Sequence, residues 1–174
     1  MSVELIAPSK ALTGKLELNY ASDDFAQASQ SASNLRTHAF VIGDFGLLLP
    51  PDSVAEVSES LDTCRLPNTS AYLRGMANLR GNMVPVFDMF KLLDVATDSK
   101  AYRHQLFIKL DEEWVGMSIA QLPSRIVLTE EMKLTHIPGL PALLQPWVKH
   151  CYHNHGIWIE WDIRSFFASM SGRI

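Results

Sequence analysis

The stretch from Leu66 to Leu93 constrains the fold of this chain more than any other segment. It reads LPNTSAYLRGMANLRGNMVPVFDMFKLL, with Gly75 and Gly81 each directly after an arginine. The pair Gly81-Asn82 favours a tight hairpin turn, because both residue types tolerate positive φ at low cost. Such a turn would hold Arg80 at the tip of a hairpin, pointing outward. The stretch therefore predicts β-structure that displays a basic side chain.

The residues after this turn extend the same pattern. Met83 to Phe87 is typical of a strand, and Pro85 should confine that strand to a sheet edge or a bulge. Asp88 can then cap a short helical turn that ends at Leu93. An arginine on a rigid turn beside an apolar edge strand has the physical character of a docking surface.

Composition and charge exclude several classes of protein. The chain has 174 residues and a net charge of −4, so it lacks the basic excess that nucleic-acid binding needs. No apolar run approaches the length of a membrane span, and the first ten residues do not form a secretory signal. Cys64 and Cys151 are far apart and provide no disulfide framework. We expect a cytoplasmic protein with reduced thiols that does not insert into a membrane.

The hydrophobic pattern divides the chain at about residue 34. Part of the segment 1–34 consists of small and polar residues, and this composition predicts an extension that is partly helical or flexible. Residues 35–170 predict a single domain with hairpins at 38–49, 105–119 and 151–161. Asp162 is an acceptable N-cap for a last helix. The apolar residues of that helix fall on one stripe: Ile163, Phe166, Phe167 and Met170.

Three short motifs resemble those of a known family. The run Asn78-Leu79-Arg80-Gly81, then Val84-Pro85-Val86, then Asp88, is similar to the pattern of CheW-type domains. These domains are adaptors that couple histidine kinases to chemoreceptors. The resemblance implies an all-β fold of two packed, five-stranded, SH3-like barrels with a C-terminal helix and a short N-terminal extension.

Other segments resemble one branch of that family. A Leu144-Gln145-Pro146-Trp147 segment is followed by a histidine-containing turn and a terminal helix. This order is similar to the PilI-type adaptors of pilus-associated chemosensory systems. It implies a part in motility, either twitching or flagellar.

The resemblance also implies partners and contact residues. The partners would be the regulatory domain of a CheA-type kinase, at an edge of the first barrel, and the cytoplasmic tip of a chemoreceptor, in the groove between barrels. Four residues would face a partner: Arg80, Val54, Glu56 and Met83. Gly75 and Gly81 would shape turns that a side chain would spoil. Plainer interpretations stay open, with Glu56 as an ordinary exposed residue, Met83 as core and both glycines as purely conformational.

One position departs from the family pattern. The family often has an aspartate after the second strand of the hairpin at 105–119, and Ala120 stands there. A missing partner contact would suit an inhibitor as well as an adaptor. The alternative is therefore a protein that competes with adaptors.

A second alternative rests on four residues near the C-terminus. His150, Cys151, His153 and His155 fall within six positions, and on a strand the last three would share one face. Such a trio is a candidate zinc or copper site. The plainer interpretation is a histidine-rich hairpin rim with Cys151 buried as a small apolar residue.

Catalytic motifs are missing from the sequence. It contains no GxSxG elbow, no P-loop and no GxGxxG after a strand. We therefore expect a binding module that is not an enzyme and uses no cofactor.

Overall fold

The computed structural model describes residues 34–59, 61–97, 102–136 and 139–171. The extension predicted for residues 1–34 lies outside the described residues except for Asn34, so it stays a prediction.

The described residues form eleven strands and two α-helices. The strands are β1 Leu35–Ile42, β2 Phe45–Leu48, β3 Ala55–Glu59, β4 Thr63–Cys64, β5 Leu73–Leu79, β6 Asn82–Phe87, β7 His104–Leu110, β8 Glu113–Ile119, β9 Ser124–Leu128, β10 Val148–His153 and β11 Ile157–Trp161. The helices are α1 Met89–Leu92 and α2 Ile163–Ser171, and short 3-10 turns lie at Glu130–Met132 and Gln145–Trp147.

The strands form two sheets, which confirms the all-β prediction. One sheet has five strands in the order β10-β11-β2-β1-β9, and the other has six in the order β3-β7-β8-β6-β5-β4. The sixth strand is β4, which is only two residues long. The first hairpin therefore pairs with strands from the end of the chain, while the middle of the chain builds the other sheet. Hairpin predictions define local pairs, but they do not say which pairs share a sheet.

The main apolar core joins residues of both sheets to α2. It includes Phe40 and Leu47 from the five-stranded sheet, and Leu106 and Met117 from the six-stranded sheet. The predicted stripe of α2 is entirely buried in this cluster: Ile163, Phe166, Phe167 and Met170. The terminal helix is thus held by packing of one face, as its 3.6-residue period predicts.

Each sheet also has a smaller apolar cluster of its own. In the five-stranded sheet it contains Ala39, Leu48, Ile126, Leu128 and Tyr152. In the six-stranded sheet it contains Ala77, Leu79, Val84, Val86 and Phe107. Each sheet therefore encloses a small cluster on one face and contributes to the shared core on the other. A sheet can enclose a cluster of its own residues only if it curls, as small barrels do.

Asp162 caps α2 as predicted. Its carboxylate accepts hydrogen bonds from the Ser165 backbone N–H at 3.1 Å and from the Ser165 hydroxyl at 2.9 Å. These two bonds hold the pKa of Asp162 below its ordinary value, although partial burial opposes the shift. A lowered pKa means that folding favours the ionised carboxylate.

Asp162→Ala should lower the free energy of unfolding by about 1 kcal/mol at neutral pH, since the cap is lost. In the wild-type protein, the ionic part of this contribution is fully present above the ordinary carboxyl pKa. It disappears as the pH falls through the lowered pKa of the folded state. Urea unfolding at neutral and acidic pH measures both effects. Asp162→Asn is the control, because asparagine keeps a capping oxygen without the charge. An Asp162→Ala deficit that stays constant down to pH 2 would contradict the argument.

Candidate docking surface

The hairpin turn between β5 and β6 consists of Arg80 and Gly81. Both have positive φ, 51° and 89°, and Leu79 pairs with Asn82 to close the hairpin. The prediction centred on Gly81-Asn82 was therefore wrong by one residue. The Asn78 side chain explains the shift, because its Oδ1 accepts a hydrogen bond from the Gly81 N–H at 2.7 Å. That bond stabilises a turn in which arginine itself takes the left-handed conformation.

Arg80 points outward, and its guanidinium contacts Glu56. The Arg80 Nη2 atom lies 3.0 Å from Glu56 Oε1, and the arginine side chain is 77% exposed. Glu56 lies in β3, which β7 and β8 separate from β6 within the sheet. The ion pair therefore joins elements that are distant in the sheet order, so the sheet must curl to bring them together.

Strand β6 is not an edge strand, so of the two positions predicted from Pro85, an edge or a bulge, the edge was wrong. The ladder of β6 with β5 does contain a register shift, opposite Val86 and Phe87. Strand β6 lies between β5 and β8, yet its ladder with β8 covers only Val86 and Phe87. Pro85 is opposite Met76, at a position where antiparallel partners exchange no hydrogen bonds with each other. An N–H at position 85 would therefore point toward β8 and not toward β5. Because the ladder with β8 does not extend to Pro85, no partner there needs that N–H. The first half of β6 behaves as an edge although the strand as a whole is interior.

Two exposed apolar side chains flank the ion pair. Val54 is 59% exposed and Met83 is 58% exposed, so the interpretation of Met83 as a core residue was wrong. The Val54 carbonyl accepts a hydrogen bond from the Lys109 N–H at 2.9 Å, which anchors the start of β3. We define the docking edge as Val54, Glu56, Arg80 and Met83.

Gly81 lies in a turn as predicted, but the turn predicted at Gly75 was wrong, because Gly75 lies inside β5 at a register shift of its ladder with β6. Both glycines have positive φ, and only Gly75 is also confined by its neighbours. Gly75 has φ +138°, and an added Cβ would lie 2.2 Å from the Cys64 carbonyl oxygen. Gly81 has φ +89° and no atom within 4 Å of such a Cβ. A side chain at Gly75 would therefore push β5 away from β4.

A second candidate surface is a groove between the two sheets, with a volume of about 470 Å³. Its lining comes from β1, β3 and β7, and it includes Thr37, His38, Val57 and Leu106. Leu122, which is 60% exposed, and Pro123 complete one wall. The family resemblance predicts a groove between barrels but assigns none of these residues to it. Leu122 lies outside any strand, so alternation of apolar residues gave no signal for it.

The candidate metal-ligand trio is not on one face of a strand. Strand β10 ends at His153, and His155 lies in the following turn with φ 51°. Cys151 is buried, which raises the pKa of its thiol, whereas both histidines are exposed. In the described part of the chain, no three His, Cys, Asp or Glu side chains are grouped so as to hold a metal ion.

Ala120 directly follows β8 and is half-buried against the main core. Across the ranges that the structure covers, no helix has both the length and the apolar character needed to cross a membrane.

Residues 38–166 match the family model described as CheW-like domain. The chain belongs to the CheW-like domain family. The matched range contains the docking edge and every residue named in the groove except Thr37.

Named relatives of this CheW-like protein come from several bacteria. It is 23% identical to protein PilI of Pseudomonas aeruginosa over 134 residues, which cover 76% of this chain and 74% of PilI. It is 24% identical to chemotaxis protein CheW of Thermotoga maritima, covering 57% of this chain and 66% of that protein. Protein FrzA of Myxococcus xanthus is 28% identical, with coverage of 56% and 61%.

The fold also matches a solved structure. The crystal structure of the scaffolding protein CheW from Thermoanaerobacter tengcongensis is similar with a TM-score of 0.64 and 16% sequence identity. The similarity covers 78% of this chain and 93% of that one. It shows that the two-sheet architecture is that of a CheW fold.

Proposed function

We propose that this CheW-like protein is a non-enzymatic adaptor that couples a CheA-type histidine kinase to the cytoplasmic tips of chemoreceptors. The observation that carries the proposal is the presence of two separate surfaces on one β framework. The docking edge has exposed side chains, and the groove is concave and lies between the sheets. A protein that bridges two partners needs two such surfaces held at a fixed geometry.

The docking edge suits the regulatory domain of the kinase. It combines two exposed apolar side chains, Val54 and Met83, with the arginine of an ion pair. Exposed apolar residues beside an arginine are typical of the central part of protein interfaces. The half-open side of β6 adds backbone groups that a partner strand could pair with.

The groove suits a helical segment of the receptor tip. Its apolar lining includes Leu49, Val57, Leu106 and Leu122, and His38 adds a polar group. An amphipathic helix binds such a groove through apolar residues on one of its faces. The wall from β3 is part of the same strand that carries Glu56, so the two surfaces are rigidly connected.

We infer that the protein works in the cytoplasm at membrane-bound receptor arrays, in a pilus-associated system that controls twitching motility. The similarity to PilI along 76% of the chain supports this branch. Similarities to CheW and FrzA proteins leave a flagellar or other output as the alternative.

The proposal is tested by substituting one exposed residue on each surface. Val54→Ser should weaken binding to the purified kinase about tenfold and leave receptor binding unchanged. Leu122→Ser should have the opposite pattern, since losing one apolar hot-spot side chain costs about 1.4 kcal/mol or more, which is a factor of about ten or more. Each variant is the control for the other, because both positions are exposed and folding should be unaffected. Binding is measured by pull-down and titration with kinase alone, receptor alone and both.

Two results would contradict the proposal. If both variants weakened both partners equally, the two surfaces would not be separate sites. If the wild-type protein bound the kinase but blocked rather than promoted its association with receptor, the protein would be a competitor, as the alanine at position 120 allows.

A further inference from the structure

Two small neighbouring cavities share three basic side chains: Arg65, Arg74 and Lys91. The cavities have volumes of about 260 Å³ and 210 Å³. Arg65 directly follows β4, Arg74 lies in β5 and Lys91 lies in α1. None of the three belongs to the docking edge or the groove. We call this site the basic pocket.

Arg74 is held in a fixed position by an aromatic ring. Its guanidinium carbon lies 4.5 Å from the centroid of the Tyr102 ring. The Tyr102 hydroxyl donates a hydrogen bond to Asp88 Oδ2 at 3.0 Å. Burial, and then this hydrogen bond, raise the pKa of Tyr102, so its hydroxyl stays a donor at neutral pH. A guanidinium stacked on a ring keeps its N–H groups free at its rim.

The carboxylate in the pocket is already occupied. Asp88 is 1% exposed, and its other oxygen accepts a hydrogen bond from the Lys91 backbone N–H at 3.2 Å. The Lys91 ammonium lies 3.7 Å from Asp88, and more than half of that side chain is exposed. One buried carboxylate therefore lines the pocket together with three cations.

Within the described ranges, Arg65 and Arg74 have no carboxylate partner of their own. Among the residues that the structure describes, no aspartate or glutamate oxygen lies within 4 Å of either guanidinium. This positive excess occurs in a chain whose net charge is −4. Thr63 lines the same cavity as the two arginines and offers a hydroxyl donor.

We propose that the basic pocket binds a phosphate group. Planar guanidinium groups match the oxygens of phosphate in pairs, and a dianion suits three cations better than a single carboxylate does. The cavities are smaller than the roughly 300–1,000 Å³ typical of sites for whole organic ligands. The ligand is therefore a phosphate, either free or carried as a monoester at the end of a larger molecule.

Titration of the full-length protein with inorganic phosphate at constant ionic strength tests the pocket. Isothermal calorimetry should show saturable binding of one phosphate, with chloride giving none. Arg65→Gln should weaken it at least about tenfold, since a hydrogen bond to a charged group is lost. Arg125→Gln is the matched control, because Arg125 is also exposed but lies on β9 in the other sheet, and it should change nothing.

Arg74→Lys adds a second readout, since it keeps the charge but removes the stacked planar group, and it should weaken phosphate binding as well.

A neutral peptide with one phosphoserine separates the two sources of the phosphate group. Tighter binding than phosphate indicates a monoester ligand, and equal or weaker binding indicates free phosphate. Binding that does not saturate, or that Arg65→Gln and Arg125→Gln alter equally, would mean an adventitious ion only and would overturn the proposal. Kinase and receptor binding by Arg65→Gln should be unchanged, so failure here leaves the adaptor function intact.

Discussion

Replacing Gly75 with valine is expected to lower the free energy of unfolding by about 3–5 kcal/mol, a large part of the stability of an ordinary domain. Two costs add at this position. The backbone has φ +138°, which a β-branched residue rarely adopts. The new Cβ would also lie 2.2 Å from the Cys64 carbonyl oxygen, and that atom belongs to the backbone of a neighbouring strand. A flexible side chain could rotate away, but β4 can move only by breaking its pairing with β5.

Gly81→Val is the control that separates the two costs. Gly81 also has positive φ, but a Cβ there would meet no atom within 4 Å. Its substitution should therefore cost only the conformational part, about 1–2 kcal/mol. Thermal and urea unfolding of both variants measure the difference. Equal losses of stability would show that the contact with Cys64 is irrelevant.

The local structure of the chain was largely predictable from its sequence. Alternating apolar residues with turn residues at 43–44 and 111–113 correctly predicted the first two hairpins, although β8 already begins at Glu113. The register of such hairpins depends on neighbours in sequence. The cap at Asp88 and the cap at Asp162 were also predictable for the same reason. In each case the carboxylate bonds a backbone N–H three residues later.

Contacts between distant segments were not predictable in the same way. The parallel pairing of β11 with β2 joins residues more than a hundred positions apart, and nothing in either segment identifies its partner. The position of β6 between β5 and β8 depends on such a parallel contact as well. Pro85 correctly indicated that one backbone hydrogen bond is missing. That bond is missing inside the sheet, because the short ladder with β8 ends before it reaches Pro85.

In the candidate sites, too, local features were predictable and contacts between distant segments were not. Arg80 was predictable as an exposed residue, because a two-residue turn projects its side chains regardless of the rest of the fold. Its ion pair with Glu56 was not, since curling of the six-stranded sheet brings the two together. The groove and the basic pocket gather residues from three elements each, so only the tertiary structure reveals them.

Arg80→Glu is expected to weaken assembly with kinase and receptor by about a hundredfold. If the proposed contact exists, the substitution removes an exposed guanidinium and places a like charge against the partner group that it binds. Like charges across an interface cost several kcal/mol, and a factor of a hundred corresponds to about 2.8 kcal/mol. Stability should fall much less, by about 1 kcal/mol or slightly more, because the pair with Glu56 is solvent-exposed. Co-sedimentation with both partners and urea unfolding measure the two quantities.

The charge-swapped variant Arg80→Glu with Glu56→Arg decides what Arg80 does. It restores an ion pair between β3 and the turn, but it presents the opposite arrangement of charges to a partner. If Arg80 contacts the partner, the swap should recover stability and not assembly. If Arg80 acts only by fixing β3 against the hairpin, the swap should recover both, and the contact assigned to Arg80 would be wrong. Arg80→Ala should fall between wild type and Arg80→Glu in assembly, since it removes the attraction without adding repulsion.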